Sequence, residues 1–305
     1  MYTFIVNPNA RSGLGHKVWK DIERSLKESG ADYQAYLTRY QRHATSIARE
    51  LTCHRRPCTL IVLGGDGTVN EVMNGITDLS QVTFGYIPIG SSNDFARGLG
   101  LSTDPLTALG HILAPSKYTY INVGAMSYQG KRRRFAVSTG IGFDAGVCHQ
   151  VVVSRLKVLL NKIGLGKLSY VGVALSLMMS LKPGKMTVTL DDSRKMEFES
   201  VYFAVAMNTR YEGGGFKFCP DADPSDGLLD VIVIANMSKL KALALLPTAF
   251  KGCHVRFKGI HIFTCRKADI VSRTPLPVHT DGEPIFLQRH ICASLEPQKM
   301  KLILS

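Results

Sequence analysis

Short apolar runs alternate with helical stretches along the first third of the chain. Residues 2–6, 33–38, 60–63 and 82–89 read as strands, and Leu60-Ile61-Val62-Leu63 is apolar at every position, the pattern of a strand covered on both faces. Residues 16–29 and 43–51 read as helices, the second with Ile47, Ala48 and Leu51 inward. Strand and helix in alternation predict a doubly wound, mostly parallel α/β sheet whose ligands bind beyond the carboxyl ends of its strands. The pattern changes near residue 122. Residues 118–127 and 135–139 read as strands around a hairpin tip, 151–181 as a helical insertion, and 186–190, 201–207, 229–234, 259–264, 268–271, 285–287 and 301–304 as strands. The chain thus divides into an α/β domain over 1–122 and a mainly antiparallel β domain over 123–289, with a C-terminal strand (about 290–305) returning to the first.

Three strand ends carry the candidate chemistry. After Leu63 the chain breaks into Gly64-Gly65-Asp66-Gly67, and Thr68-Val69-Asn70-Glu71 has the spacing of a capping box, predicting a helix through Val72, Met73 and Ile76. A glycine turn leading into a helix N-terminus presents free N–H groups and a positive helix end, a site for phosphate. Asp66 adds a carboxylate that would repel phosphate unless a cation or a transferable proton stood between them, which points to a Mg-nucleotide and to chemistry. The turns at residues 7–15 (Asn-Pro-Asn-Ala-Arg-Ser-Gly-Leu-Gly) and 90–97 (Gly-Ser-Ser-Asn-Asp-Phe-Ala-Arg) are similar, and Ser91 with Asp94 reads as another helix start.

Composition narrows the class. With 305 residues, 45% hydrophobic and 20% charged, the chain has the make-up of a globular protein. Its net charge of +13 favours polyanionic or phosphorylated partners. Seven scattered cysteines without a CxxC pair and a strand-like start without a leader predict a cytoplasmic protein with reduced thiols. Cys253, His254, His261 and Cys265 have the wrong spacing for a zinc finger. The apolar stretch 171–181 is too short to span a membrane.

The motifs resemble the bacterial diacylglycerol-kinase-type lipid kinases, a superfamily that also holds sphingosine kinases and NAD kinases. The resemblance rests on Asn7-Pro8, the runs 64–71 and 88–97, Gly140-Ile141-Gly142-Phe143-Asp144, Gly213-Gly214-Gly215, Pro220-Asp221-Ala222, residues 226–231 and Asp281-Gly282-Glu283. It runs in order from residue 7 to about 286. Ser91 stands where the family usually has Thr.

The resemblance implies ATP held by Asn7, Pro8, Asn9, Arg11, Ser12, Thr38, the turn Gly64, Gly65, Asp66, Gly67 and Thr68, then Asn70, Glu71, Ser91 and Asn93. It implies Glu283 as acceptor of the substrate hydroxyl's proton and Asp66 as organiser of the catalytic Mg²⁺ through water. A structural Mg²⁺ loop would use the Asp226 carboxylate with the carbonyls of Asp223 and Leu228, hard oxygen ligands that suit this cation.

The implied substrate is a membrane lipid, first of all diacylglycerol converted to phosphatidic acid. Lys131-Arg132-Arg133-Arg134, Arg155, Lys157, Lys162 and Lys167 would contact the anionic inner face of the membrane peripherally. Nucleic acid is not indicated, because no recognised binding fold accompanies the charge. Members of the family often form homodimers. Two alternatives stand: an NAD-kinase-like enzyme with a soluble substrate, and a catalytically silent nucleotide-dependent membrane-binding protein. Asp66 and Glu283 are expected to face one cleft between the halves.

Overall fold

The computed structural model describes residues 1–142 and 183–305. The helical stretch expected over 151–181, with its basic residues, lies outside the described residues. Strands β1 (Tyr2–Val6), β2 (Tyr33–Leu37), β3 (Cys58–Gly64) and β4 (Val82–Pro88) pair in parallel in the order β2-β1-β3-β4. Leu60 and Val62 join a core with Ile47, Val72 and Phe84, whereas Ile61 and Leu63 join another with Trp19, Ile22 and Leu109. Both faces of β3 are covered, which is why its sequence runs apolar without alternation. The helices supplying that cover are α1 (Ala10–Glu28), α2 (His43–Thr52), α3 (Asp66–Gly75), α4 (Asp94–Leu99) and α5 (Pro105–Leu113).

The strand expected over 118–127 divides in two. β5 (Tyr118–Ile121) closes the first sheet, and β6 (Gly124–Tyr128) opens the second. At the crossing, Asn122 donates its N–H to the Pro224 carbonyl (2.6 Å) and accepts the Gly227 N–H at Oδ1 (3.0 Å). The second sheet continues through β7 (Lys131–Phe135), β8 (Ser138–Gly142), β9 (Gly184–Leu190), β10 (Arg194–Val201), β11 (Phe203–Met207), β12 (Leu229–Ile234), β13 (Ile260–Cys265), β14 (Lys267–Thr280) and β15 (Glu283–Leu295), with α6 (Lys239–Ala249) between β12 and β13. Its main order is β13-β12-β11-β8-β14-β15-β6-β7, with β9 on β14 and β10 on β9. β16 (Met300–Ile303) then returns between β4 and β5. β15 stays in the second sheet through Leu295, so the return begins after it, later than the expected residue 290.

Two further expectations change. β14 and β15 are 14 and 13 residues long, far beyond 268–271 and 285–287, because a bulged, polar middle interrupts the apolar pattern without ending the ladder. β10 was not anticipated, although the alternation of Met196, Glu197, Phe198 and Glu199 is a period-2 signal.

Candidate active site

The parallel register sets three glycine- and hydroxyl-rich turns side by side. Val6 pairs with Leu37 and Leu63, and Gly64 pairs with Pro88, so Asn7, Thr38, Gly64 and Gly90 follow adjacent strand ends. Asn7 Nδ2 donates to Thr68 Oγ1 (3.0 Å), Asn7 Oδ1 accepts the Asn9 N–H (3.1 Å), and the Thr38 N–H reaches the Val6 carbonyl (2.8 Å). Arg11 and Ser12, both exposed, have φ of 47° and 59° and kink the start of α1. A Cβ built on Gly90 would lie 2.7 Å from the Gly65 Cα, so these two turns touch backbone to backbone. The Asn93 Oδ1 beside them is buried without a hydrogen-bond partner. An orphaned acceptor at a strand-end edge suits a ligand that brings its own donor.

Asp66 stands at the start of α3 with Gly65 as the cap residue. Its carboxylate accepts the backbone N–H groups of Asp94 (3.1 Å) and Phe95 (3.1 Å), fastening the first turn of α4. Burial, followed by the nearby Asp94 charge, pushes its pKa up to about 7. Asp94 is raised as well, chiefly by burial, although the Gly214 N–H (2.7 Å) and Arg97 Nη1 (2.5 Å) both donate to it. Both carboxylates are harder to ionise than an ordinary one, because two desolvated carboxylates near each other resist double ionisation.

Glu283 opens β15 after a two-residue turn, Asp281-Gly282, whose φ values of 50° and 76° give the positive-φ pair of a type I′ hairpin. Asp281 binds the turn to the rest of the site. Its Oδ1 accepts the N–H groups of Val137 (2.8 Å) and Ser138 (3.0 Å), and its Oδ2 those of Ala136 (2.8 Å) and the Asn70 side chain (2.8 Å). Glu283 Oε1 thereby comes to lie 2.7 Å from where a Cβ on Gly67 would sit. Two carboxylates nearly 220 positions apart meet at one glycine turn, with Glu283 held from the second sheet and Asp66 from the first.

A third segment holds both. Gly214, whose N–H bonds Asp94, lies in the loop between Glu212 and Phe216, which bridge to each other. Glu212 Oε1 lies 3.2 Å from Nε2 of the fully buried His279, and His279 Nδ1 accepts the Gly282 N–H (3.2 Å). With Nδ1 accepting, a neutral imidazole carries its proton on Nε2, the nitrogen nearer Glu212. Asp94, Asp281, His279 and Glu212 were not among the anticipated site residues. The Asp-Gly hairpin signal marks the first of the turn residues, but nothing in sequence separation pairs His279 with Glu212.

Several anticipated residues serve other purposes. The capping box does not form: Thr68 Oγ1 takes the Asn7 amide, and Glu71 Oε1 accepts the Arg42 N–H (2.8 Å), because tertiary partners compete with the local cap. Nor does Ser91 cap α4, whose cap residue is Asn93 with φ 52°. Asn70, expected at the nucleotide, is fully buried and holds Asp281, the Arg134 carbonyl and Arg133 Nη2 (2.8 Å). In the basic hairpin Lys131 and Arg132 are exposed and Arg133 and Arg134 half-buried, and its arginines have partners within the fold. Arg132 and Arg134 pair with the buried Glu296 (3.0 and 2.8 Å), and Arg134 Nη1 also binds the Met73 and Ile76 carbonyls at the end of α3.

The Asp223–Leu228 loop sits at the domain crossing. Asp223 Oδ1 accepts Ser225 N–H (2.8 Å), Asp226 Oδ1 accepts Leu228 N–H (2.8 Å), and Lys299 Nζ donates to the Ser225 carbonyl (2.7 Å). These contacts run to the crossing at Asn122 and to Lys299, not to the Asp66 turn. No three His, Cys, Asp or Glu side chains gather as a metal cluster among the described residues. Asp230, behind the loop, is pushed up to about 6 by burial and by the Asp226 and Asp221 charges.

A parallel α/β domain with phosphate-type turns, closed by a carboxylate from an antiparallel β domain, defines a two-domain phosphotransferase. The family comparisons agree. Residues 1–125 match the diacylglycerol kinase catalytic domain, and residues 137–304 match the YegS C-terminal NAD kinase beta sandwich-like domain. The chain is 30% identical to YtlR of Bacillus subtilis over 286 residues, 92% of each chain, and 30% identical to a diacylglycerol kinase of Mycobacterium tuberculosis, covering 94% and 93%. A solved diacylglycerol kinase of Bacillus anthracis superposes with a TM-score of 0.71 at 22% identity, covering 100% of this chain and 96% of that one. An ATP-bound NAD kinase of Archaeoglobus fulgidus shares the fold at TM-score 0.54 and 12% identity, covering 99% and 93%. The chain belongs to the diacylglycerol kinase family, and its function is of the lipid kinase type.

Proposed function

We propose that the protein transfers the γ-phosphoryl group of ATP, with Mg²⁺, to a primary hydroxyl of a membrane lipid, diacylglycerol before others. The observation that carries this reading is the Glu283 carboxylate poised over Gly67 in the phosphate turn. Glu283 takes the proton from the lipid hydroxyl as its oxygen forms the new bond to the γ-phosphorus. The bond to the β,γ-bridging oxygen breaks and ADP leaves. The N–H groups at the start of α3 and the turns after β1 and β4 orient the phosphates. Asp66, whose ionisation is disfavoured by burial and by the Asp94 charge, would hold the cation through its carboxylate. Bound Mg²⁺ would supply charge neutralisation of the phosphates there.

The Asp223–Leu228 loop fits a second, structural cation by the chemistry of its donors. Asp230 is raised by burial first and then by the Asp226 and Asp221 charges, and a divalent ion would relieve the charge part of that cost.

The test is incubation of the purified protein with labelled ATP, Mg²⁺, NAD and a total lipid extract, with the phosphorylated product identified by mass. Label on diacylglycerol is the expected result. Label on NAD and on no lipid would replace this reading with the soluble-substrate one, and ATP binding without transfer would replace it with a silent one.

A further inference from the structure

Just beyond Glu283, β15 turns two consecutive large apolar residues outward. Phe286 is 86% exposed and Leu287 58%. Successive side chains on a regular strand point to opposite faces, so this pair marks a break in the ladder. The register shows it: Val278 faces Ile285, Leu276 faces Gln288, and Val271 faces His290, so each strand bulges in turn against its partner. The result is a lip of Phe286 and Leu287 beside Pro275, Leu276 and Pro277. Along the two segments that form it the formal charge has one sign. Residues 270–278 and 284–295 contain no Asp or Glu, and Arg273 and Arg289, both exposed, flank the lip.

We propose that this lip enters the surface of an anionic bilayer, with Arg273 and Arg289 on headgroup phosphates, and so presents the lipid hydroxyl to Glu283. Phe286 follows Glu283 by three strand residues, or about 10 Å. An interfacial apolar element sinks roughly 5–10 Å into the boundary between headgroups and acyl chains. The two lengths match, so a lip seated in the acyl boundary holds the carboxylate at the depth of a glycerol hydroxyl. A protein partner would not explain why the apolar pair sits at that distance from the reacting group between two exposed arginines. The assignment rests on the lipid-kinase reading of the Glu283 site.

The experiment measures partition of the protein into vesicles of phosphatidylglycerol and phosphatidylcholine in equal parts, and into phosphatidylcholine alone. Phe286→Ser with Leu287→Ser should weaken binding to the mixed vesicles about 30- to 100-fold, from the apolar area withdrawn from the bilayer. Arg273→Gln with Arg289→Gln should weaken it about 10- to 30-fold and abolish the preference for the anionic vesicles. Turnover of dihexanoylglycerol, dispersed as monomers, should be unchanged in both, which also reports that the variants fold. Wild-type partition by the serine variant would overturn the lip while leaving the kinase reading intact. Lip-dependent vesicle binding with no lipid phosphorylated in any form would support the lip and overturn the kinase reading. A wild type that ignores vesicles but loses self-association in the serine variant would make the lip an interface between copies and overturn the proposal.

Discussion

The Glu283 carboxylate occupies the space that a side chain at Gly67 would need, with Oε1 2.7 Å from the ideal Cβ position. The blocking atom is the far end of a flexible side chain, so it can move aside. Gly67→Ala should therefore keep the fold and displace the carboxylate. Turnover should fall by about 10- to 100-fold while the thermal midpoint stays close to wild type, since a misplaced base loses rate before it loses stability. Glu283→Gln should lower turnover by about 10²–10⁴-fold with ATP affinity nearly intact. Wild-type turnover in the glutamine variant would remove Glu283 as the base and leave Asp66 as the candidate.

Asp66 makes stability depend on pH in an unusual direction. Its pKa in the fold, about 7, lies above the ordinary carboxylate value of 3.8, so the folded chain binds a proton that the unfolded chain has released. Stability from this group is full below about pH 4 and is lost as pH rises through 7. Asp94 and Asp281, raised by burial, act in the same direction. Asp66→Asn should flatten the decline in denaturation midpoint between pH 5 and 8, and it should lower turnover and blunt its Mg²⁺ dependence. An unchanged pH slope in the asparagine variant would show that the proton resides elsewhere.

His279 positions the hairpin that carries Glu283, through the Gly282 N–H on one ring nitrogen and Glu212 on the other. His279→Ala leaves Glu212 buried beside a cavity and should cost about 3 kcal/mol of stability. Kinetically, kcat should drop about tenfold or more while KM for ATP holds, because the loss acts on the base and not on the nucleotide turns. Glu212→Gln keeps an acceptor for Nε2 and should retain more of kcat than His279→Ala. Equal loss in kcat and KM for both variants would mean general unfolding of the site.

Arg134 is a strut, not a surface charge. It pairs with Glu296, whose side chain is 7% exposed, and closes the end of α3. Arg134→Ala should destabilise by about 2–4 kcal/mol, since it strips a buried carboxylate of a partner. Arg134→Ala with Glu296→Ala should recover part of that loss. Denaturant unfolding of the single and double variants measures the coupling.

The strands and turns of the first domain were legible from short stretches of sequence. Uniform apolar runs report cover on both faces, and glycine clusters report turns, both of them local effects that a short stretch of chain settles. The turns after Val6, Leu63 and Pro88 were readable for that reason. The family motifs extended this reading to Glu283 itself. Only the tertiary structure decided how Thr68, Asn70 and Glu71 are used, because Asn7, Asp281 and Arg42 outbid the local cap from far along the chain. It decided likewise that three arginines of the β7 strand pair with Glu296 and Asn70, and that His279 meets Glu212. A hydrogen-bonding group answers to whichever partner the packing of sheets brings near, and the spacing of residues along one strand carries no record of the strand that will face it.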